Sequence, residues 1–238
     1  MTELQRVESV RFPGPEGVLE GLWSEGGERS AARRAKEVGP GSADTGLPAA
    51  VICHPHPAHR GSMHSKVVHA VTKALEAGGH ATLRFNFRGV GQSEGSYSGW
   101  FGEVDDLAAA ASYARQRSGR SRIWTAGFSF GSWIALTYSL RDPDVSQVIG
   151  LGLPVTANID GRTFDFLDHL PWPLLLVQGD HDRYGSEADI VALRDRLAAH
   201  GRVTLRIVPR ADHFFTGRIE GLRQALDDGL TALATGRD

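Results

Sequence analysis

The stretch that most constrains this chain is Gly127-Phe128-Ser129-Phe130-Gly131, because of what flanks it. An apolar segment of β type, Arg122-Ile123-Trp124-Thr125-Ala126, runs into it. A helix-compatible segment, Trp133-Ile134-Ala135-Leu136-Thr137-Tyr138, runs out of it. A strand that reverses sharply into a helix around Gly-x-Ser-x-Gly holds the serine in a strained backbone conformation with its hydroxyl pointing outward. The two glycines lack a Cβ, so strand and helix can close on each other there. The helix N-terminus then turns its N–H groups and positive dipole end toward the space in front of that hydroxyl. The same short pattern also arises by chance in ordinary βα turns, so the surrounding chain has to decide its meaning.

The surroundings alternate between strand and helix. Val7 to Phe12 and Val18 to Trp23 read as a hairpin around Pro13-Gly14-Pro15-Glu16-Gly17. Further strands are predicted at Pro48–Cys53, Ala81–Phe87, Arg122–Ala126, Val148–Leu153, Pro173–Gly179 and Val203–Val208. Helices are predicted at Ser65–Ala77, Glu103–Arg117, Ser132–Leu140, Ser186–His200 and Thr216–Thr235. This pattern predicts an α/β fold: a mostly parallel, doubly wound sheet with helices on both faces and an antiparallel N-terminal hairpin. A length of 238 residues suits one domain spanning 1–238. Ser24 to Thr45 is rich in Gly, Ser, Ala, Glu and Arg and nearly devoid of large apolar residues. It reads as an exposed, flexible insertion over 24–46.

The formal net charge of −2 offers no basic field for nucleic acid. The single cysteine, Cys53, excludes an internal disulfide and a thiolate zinc cluster. The N-terminus carries no apolar signal-peptide region and no run approaches a membrane span. A soluble, cytoplasmic protein without membrane insertion is expected.

In such sheets ligands bind beyond the carboxyl ends of the strands. Those ends present His54 to His56, Asn86 to Arg88, Ser129, Asp180 to Asp182, and Asp212-His213. A serine, an acid and a histidine thus fall on one rim, in that chain order. His213, in the loop between the last strand and the terminal helix, is the candidate base; His181 is the weaker one. The acid is Asp182 or Asp180, with Asp165 and Asp168 as remote alternatives. His54, His56, His59, His64 and His69 form a histidine-rich run, but Pro55 and Pro57 break helical spacing and no carboxylate is interleaved. No metal is expected. Arg88, Gly89 and Gly91 lack the dinucleotide spacing, since Glu94 stands where a third glycine is needed, so no cofactor is expected either. Tyr97, Trp100 and Phe101 wall a pocket or belong to the peripheral core; both readings stay open here.

Five blocks in order carry a resemblance. They are Cys53-His54-Pro55-His56-Pro57, the run Arg84-Phe85-Asn86-Phe87-Arg88-Gly89-Val90-Gly91-Gln92-Ser93-Glu94-Gly95, Gly127 to Gly131, Gly179-Asp180-His181-Asp182, and Asp212-His213-Phe214-Phe215. With them the chain resembles the α/β-hydrolase superfamily, and more narrowly its small, lidless bacterial serine hydrolases of the carboxylesterase kind. The resemblance spans everything but Ser24 to Thr45. It implies Ser129 as nucleophile, His213 as general base and, through the family's Gly-x-x-Asp pattern, Asp182 as the acid. Asp180 is then left to anchor its loop. It implies an oxyanion hole made by the N–H groups of Phe130 and His56. Pro55 occupies the glycine position of the family's His-Gly-x, and neither Pro55 nor Pro57 can donate. The short gap between Leu153 and Pro173 implies no cap domain, an open site, and a small soluble ester as substrate, while the oligomeric state stays open. A thioesterase or peptidase with the same triad, or a non-catalytic small-molecule binder on this fold, are the alternatives.

Overall fold

The computed structural model describes residues 7–26, 46–157, 161–167 and 170–235. Its centre is an eight-stranded sheet in the order β1-β2-β4-β3-β5-β6-β7-β8. The strands are β1 (Val7–Gly14), β2 (Gly17–Ser24), β3 (Ala49–Cys53), β4 (Thr82–Phe85), β5 (Ile123–Phe128), β6 (Val145–Leu151), β7 (Leu174–Gly179) and β8 (Val203–Val208). β1 and β2 form the expected antiparallel hairpin, from Val7 opposite Ser24 to Gly14 opposite Gly17. β2 also meets β4 antiparallel, and every pairing from β4 to β8 is parallel.

Among the described residues five α-helices cover the sheet: α1 (Lys66–Ala77), α2 (Phe101–Ser118), α3 (Phe130–Ser139), α4 (Glu187–Ala198) and α5 (Ile219–Thr235). Side-chain alternation decides which helix meets which face. Val51 and Cys53 of β3 and Leu174 and Leu176 of β7 point to the side of Leu107, Ile134 and Ile190, from α2, α3 and α4. Their neighbours Ala50, Ile52, Leu175 and Val177 point to Val71, Leu75 and Leu226, from α1 and α5. Both faces are therefore dry, which explains why β3 and β7 are buried at every position. Each fully buried Leu or Ile in these layers contributes about 1.5–3 kcal/mol.

Several predicted boundaries move, each for a local reason. The strand expected over Ala81–Phe87 leaves the ladder after Phe85, because the Phe87 N–H turns to the His54 ring instead. The helix expected from Glu103 begins two residues earlier, where the Glu103 carboxylate accepts the Trp100 N–H at 2.8 Å and caps the first turn. β6 starts at Val145, earlier than predicted, and stops at Leu151 because Gly152 takes a φ of +53°. The terminal helix starts at Ile219 rather than Thr216, after Gly217 at φ +67°. Ser24, the predicted first residue of the insertion, belongs to β2. The rest of that expectation falls almost wholly on residues 27–45, outside the described residues.

The connection from β6 to β7 carries no helix among the described residues, so no cap lies over the sheet there. No helix of the described residues is long and apolar enough to cross a membrane. The sheet order places the functional edge. From β3 the chain steps to β4 on one side, then returns to β5 on the other side of β3. The carboxyl ends of β3 and β5 thus flank a topological switch point, where open α/β sheets form their crevice.

Candidate active site

Ser129 sits at that crevice, between β5 and α3, with φ +56° and ψ −117°. A non-glycine residue at positive φ costs on the order of 1–3 kcal/mol and persists only when its surroundings over-determine it. Here they do. The Ser129 N–H donates to the Leu151 carbonyl at 2.9 Å. The Ser129 carbonyl accepts from both the N–H and the hydroxyl of Ser132, at 2.9 and 2.5 Å. The flanking glycines are required by space. A Cβ on Gly127 would lie 2.0 Å from the Gly131 carbonyl oxygen, and one on Gly131 would lie 2.6 Å from the carbonyl oxygens of Cys53 and His54. The turn therefore packs directly on the end of β3.

The structure brings Ser129, His213 and Asp182 into one hydrogen-bonded chain. His213 Nε2 lies 2.9 Å from Ser129 Oγ, and His213 Nδ1 lies 2.8 Å from Asp182 Oδ2. A carboxylate only accepts, so Nδ1 carries the proton and Nε2 is left to accept from the serine hydroxyl. The histidine ring is held on three sides by Phe128, Tyr184 and Phe214, at centroid distances of 5.2, 4.7 and 5.1 Å. Its loop is pinned by Asp212, whose Oδ1 accepts the N–H groups of Phe214 and Thr216 at 3.1 and 2.8 Å. These bonds, with the Thr216 N–H the stronger influence, hold the Asp212 carboxyl below the usual carboxylate range.

Asp182 is buried and fully engaged. Its Oδ1 accepts the N–H groups of Tyr184 and Gly185, and its Oδ2 accepts from Gln178 as well as from His213. Asp180, the competing candidate, points elsewhere. Its Oδ1 accepts the Ala211 N–H at 3.2 Å, and backbone N–H donation, first from Arg210, keeps its carboxyl low. It ties the ends of β7 and β8 together, as an anchoring residue would. His181 is exposed, as is Asp165, and Asp168 lies outside the described residues.

Phe130 opens α3, so its N–H is among the first-turn donors that no intrahelical carbonyl can take. His56 lies across from it. The His56 ring packs 4.8 Å from the Phe130 ring, its Nδ1 accepts the Ala58 N–H, and its Nε2 lies 3.2 Å from the Tyr97 hydroxyl. The His56 carbonyl points inward, accepting from His59 and Gly61. His54, behind this loop, has both nitrogens in use. Nδ1 donates to the Pro55 carbonyl at 2.6 Å and Nε2 accepts the Phe87 N–H at 3.1 Å. Burial pushes its pKa down to about 4, so it is a neutral ring at pH 7. Among the described residues no three His, Cys, Asp or Glu side chains gather as a metal site. Cys53 is buried and its thiol is pushed up by burial, which removes it as a competing nucleophile.

The loop after β4 does structural work. Arg88 is buried against Asp106, with its Nε and one terminal nitrogen on the carboxylate at 2.8–3.1 Å. The other terminal nitrogen is 2.6 Å from Glu16. Its fork is thus spent inside the protein rather than turned to a phosphate. Of the three aromatics beyond it, Trp100 is core, 4.5 Å from the Phe130 ring and 5.2 Å from Trp133. Tyr97 and Phe101 are exposed instead. Phe214 is exposed too, and with Phe128 it lines a cavity of about 280 Å³ that reaches Lys66 and Ile219.

Similarity to known proteins places the chain in a family. Residues 50–158 match the family described as serine aminopeptidase, S33. The protein RP471 of Rickettsia prowazekii is 35% identical over 228 residues, which is 94% of this chain and 89% of that protein. An α/β serine hydrolase homologue from Coxiella burnetii is 33% identical, with a TM-score of 0.79, over 97% of this chain and 100% of that one. XC6422 from Xanthomonas campestris, an α/β serine hydrolase without a lid, is 31% identical with a TM-score of 0.77, over 97% of this chain and 96% of that one. The chain belongs to the α/β hydrolases, among their small members that lack a lid.

Proposed function

We propose that this hydrolase cleaves carboxylic esters of small, soluble substrates through a Ser129–His213–Asp182 triad and an acyl-enzyme. The observation that carries the reading is the unbroken chain Ser129 Oγ, His213, Asp182, with both contacts under 3 Å. A serine hydroxyl is a weak nucleophile until a base takes its proton, and His213 Nε2 is oriented to take it. Ser129 Oγ forms a bond to the ester carbonyl carbon as its proton passes to Nε2. The carbonyl π pair moves to oxygen, and that oxyanion accepts from the N–H groups of Phe130 and His56. The pair returns, the C–O bond to the alcohol breaks, and the imidazolium supplies the alcohol's proton. Water then attacks the acyl-enzyme by the same route and frees Ser129. Asp182 holds the tautomer and stabilises the imidazolium without taking the proton.

Among the described residues no helix covers the β6–β7 connection, which supports an open site suited to small esters. The aminopeptidase family match supports a second reading, in which the leaving group is an amine. One experiment addresses both. The protein is incubated with a fluorophosphonate probe and assayed on a panel of p-nitrophenyl esters, acyl thioesters and aminoacyl anilides. Expected are stoichiometric labelling and turnover of short esters, both abolished in Ser129→Ala. An unlabelled wild-type protein refutes the triad, and anilide turnover exceeding that of all esters refutes the ester assignment.

A further inference from the structure

Gln178 stands out in β7. The strand reads Leu174-Leu175-Leu176-Val177-Gln178-Gly179, and Gln178 is as fully buried as its apolar neighbours. A neutral amide in the middle of a two-sided dry sheet is unfavourable unless each polar atom is bonded. Every one is. Oε1 accepts the Leu153 N–H at 2.9 Å. Nε2 lies 2.8 Å from Asp182 Oδ2, 2.9 Å from the Gly185 carbonyl and 3.3 Å from the Leu153 carbonyl. The orientation of the amide follows from its partners. Leu153 N can only donate and the Asp182 carboxylate can only accept, so a flipped amide would lose both bonds.

These contacts meet at the atom that matters. Asp182 Oδ2 is the oxygen that faces His213 Nδ1, and Gln178 is the other side chain donating to it. Oδ1 is already taken by the N–H groups of Tyr184 and Gly185. The Gln178 amide therefore fixes the rotation of the carboxylate and offsets part of the charge on Oδ2. It also joins the exit of β6, at Leu153, to the turn that carries Asp182, through Gly185. The titratable groups that face this cluster are the Asp182 carboxylate, the His213 ring and the Tyr184 phenol, with the Asp212 carboxylate next to His213 in the chain.

We infer that Gln178 is a positioning residue of the triad, setting the orientation and charge of the Asp182 carboxylate presented to His213. This rests on the triad reading above, and it acts through Asp182 without touching substrate. With the donor gone, the Oδ2 charge is less compensated, and the imidazolium beside it is favoured over the neutral ring. The base then stays protonated to higher pH, and the acid limb of the kcat/KM profile moves upward.

The test uses Gln178→Met, of similar shape without donors, and Gln178→Leu, which is smaller and likewise without donors. Both are assayed on p-nitrophenyl acetate from pH 5 to 9, with fluorophosphonate labelling rates and thermal melts. Expected for Gln178→Met is a fall in kcat of about 10–100-fold, by analogy with the loss of hydrogen-bond partners behind metal-ligating residues, with KM little changed. Its acid limb should move up by up to about one pH unit, equivalent to a tenfold change in proton affinity. In Gln178→Leu the same limb should move in the same direction. A purely structural glutamine would lower the melting temperature or kcat and leave the limb in place. If Gln178→Met yields no folded protein, Gln178→Leu alone decides. An unshifted limb in the folded variants, or kcat within twofold of wild type, overturns the inference. Failure of the triad reading is seen separately, as a wild-type protein that Ser129→Ala does not impair.

Discussion

Acid should unfold this protein through one histidine that takes no part in the proposed chemistry. His54 closes β3, with Nδ1–H donating to the Pro55 carbonyl and Nε2 accepting the Phe87 N–H. A proton added at Nε2 would face that N–H, donor against donor, inside a fully buried site. Burial accordingly pushes the ring from the ordinary 6.5 down to about 4 in the folded protein. The sign follows from linkage. The unfolded chain binds this proton first, so the stability that His54 contributes is complete above pH 6.5 and is lost as pH falls toward 4. A displacement of that size amounts to roughly 3 kcal/mol, a large share of the stability of an ordinary domain. Urea unfolding of wild type and His54→Asn at pH 7.5, 6, 5 and 4.5 measures it. The stability gap between the two proteins should shrink by about 2–3 kcal/mol as pH falls, since the variant has no ring to protonate. A gap that stays constant across those pH values refutes the reasoning. The consequence reaches the site, because Pro55 and His56 follow directly, and the His56 N–H is a proposed oxyanion donor.

Gly131→Ala puts a Cβ 2.6 Å from the Cys53 and His54 carbonyl oxygens. The neighbours are backbone, so the elbow must shift. About 1–3 kcal/mol of stability should be lost, lowering the melting temperature by about 2–4 °C per kcal/mol, with ester turnover falling on the order of 10²-fold. Gly119→Ala, also on a glycine but with nothing within 4 Å, should leave turnover unchanged. Arg88→Met strands the buried Asp106 carboxylate, which should cost about 3–5 kcal/mol in urea unfolding at pH 7. Burial already raises the Asp106 carboxyl against the pull of Arg88, so what it contributes is present below the usual carboxylate range and lost as pH rises. The variant's deficit should therefore shrink toward pH 5.

The parts of the fold and site that the sequence made legible were those with a periodic or local signal. Two-sided burial wrote β3 and β7 as continuous apolar runs, and the alternation with helices carried the parallel order. Ser129 was legible because the elbow needs glycine at both Gly127 and Gly131. What escaped were bonds that join distant segments. Nothing local announces that Phe87 leaves β4 to bond His54, or that Trp100 turns into the core at φ +89° behind the Glu103 cap. Asp180 and Asp182 stand two residues apart in one loop, and spacing alone left them open. Their separation is three-dimensional: Asp180 reaches the Ala211 N–H, whereas Asp182 reaches His213. Gln178 did leave a signal, as the one polar side chain in an apolar strand, but its meaning needed the position of Asp182.

These distant bonds explain how an uncapped site keeps its geometry. Enzymes with a lid can order catalytic groups on closure; here nothing closes over β6 and β7 among the described residues. The order must be built in beneath the rim. Ser129 is held in its strained turn by Leu151 and Ser132, His213 by three rings and the Asp212 turn, and Asp182 by Gln178 and two backbone N–H groups. The three side chains of the chain are each under a tenth exposed, although Tyr97, Phe101 and Phe214 are open to solvent. The three side chains are thus sunk to the level of the core, where fixed donors act in a lower dielectric. The arrangement of Ser129, His213 and Asp182 is thus set by bonds within the fold rather than by a closing element.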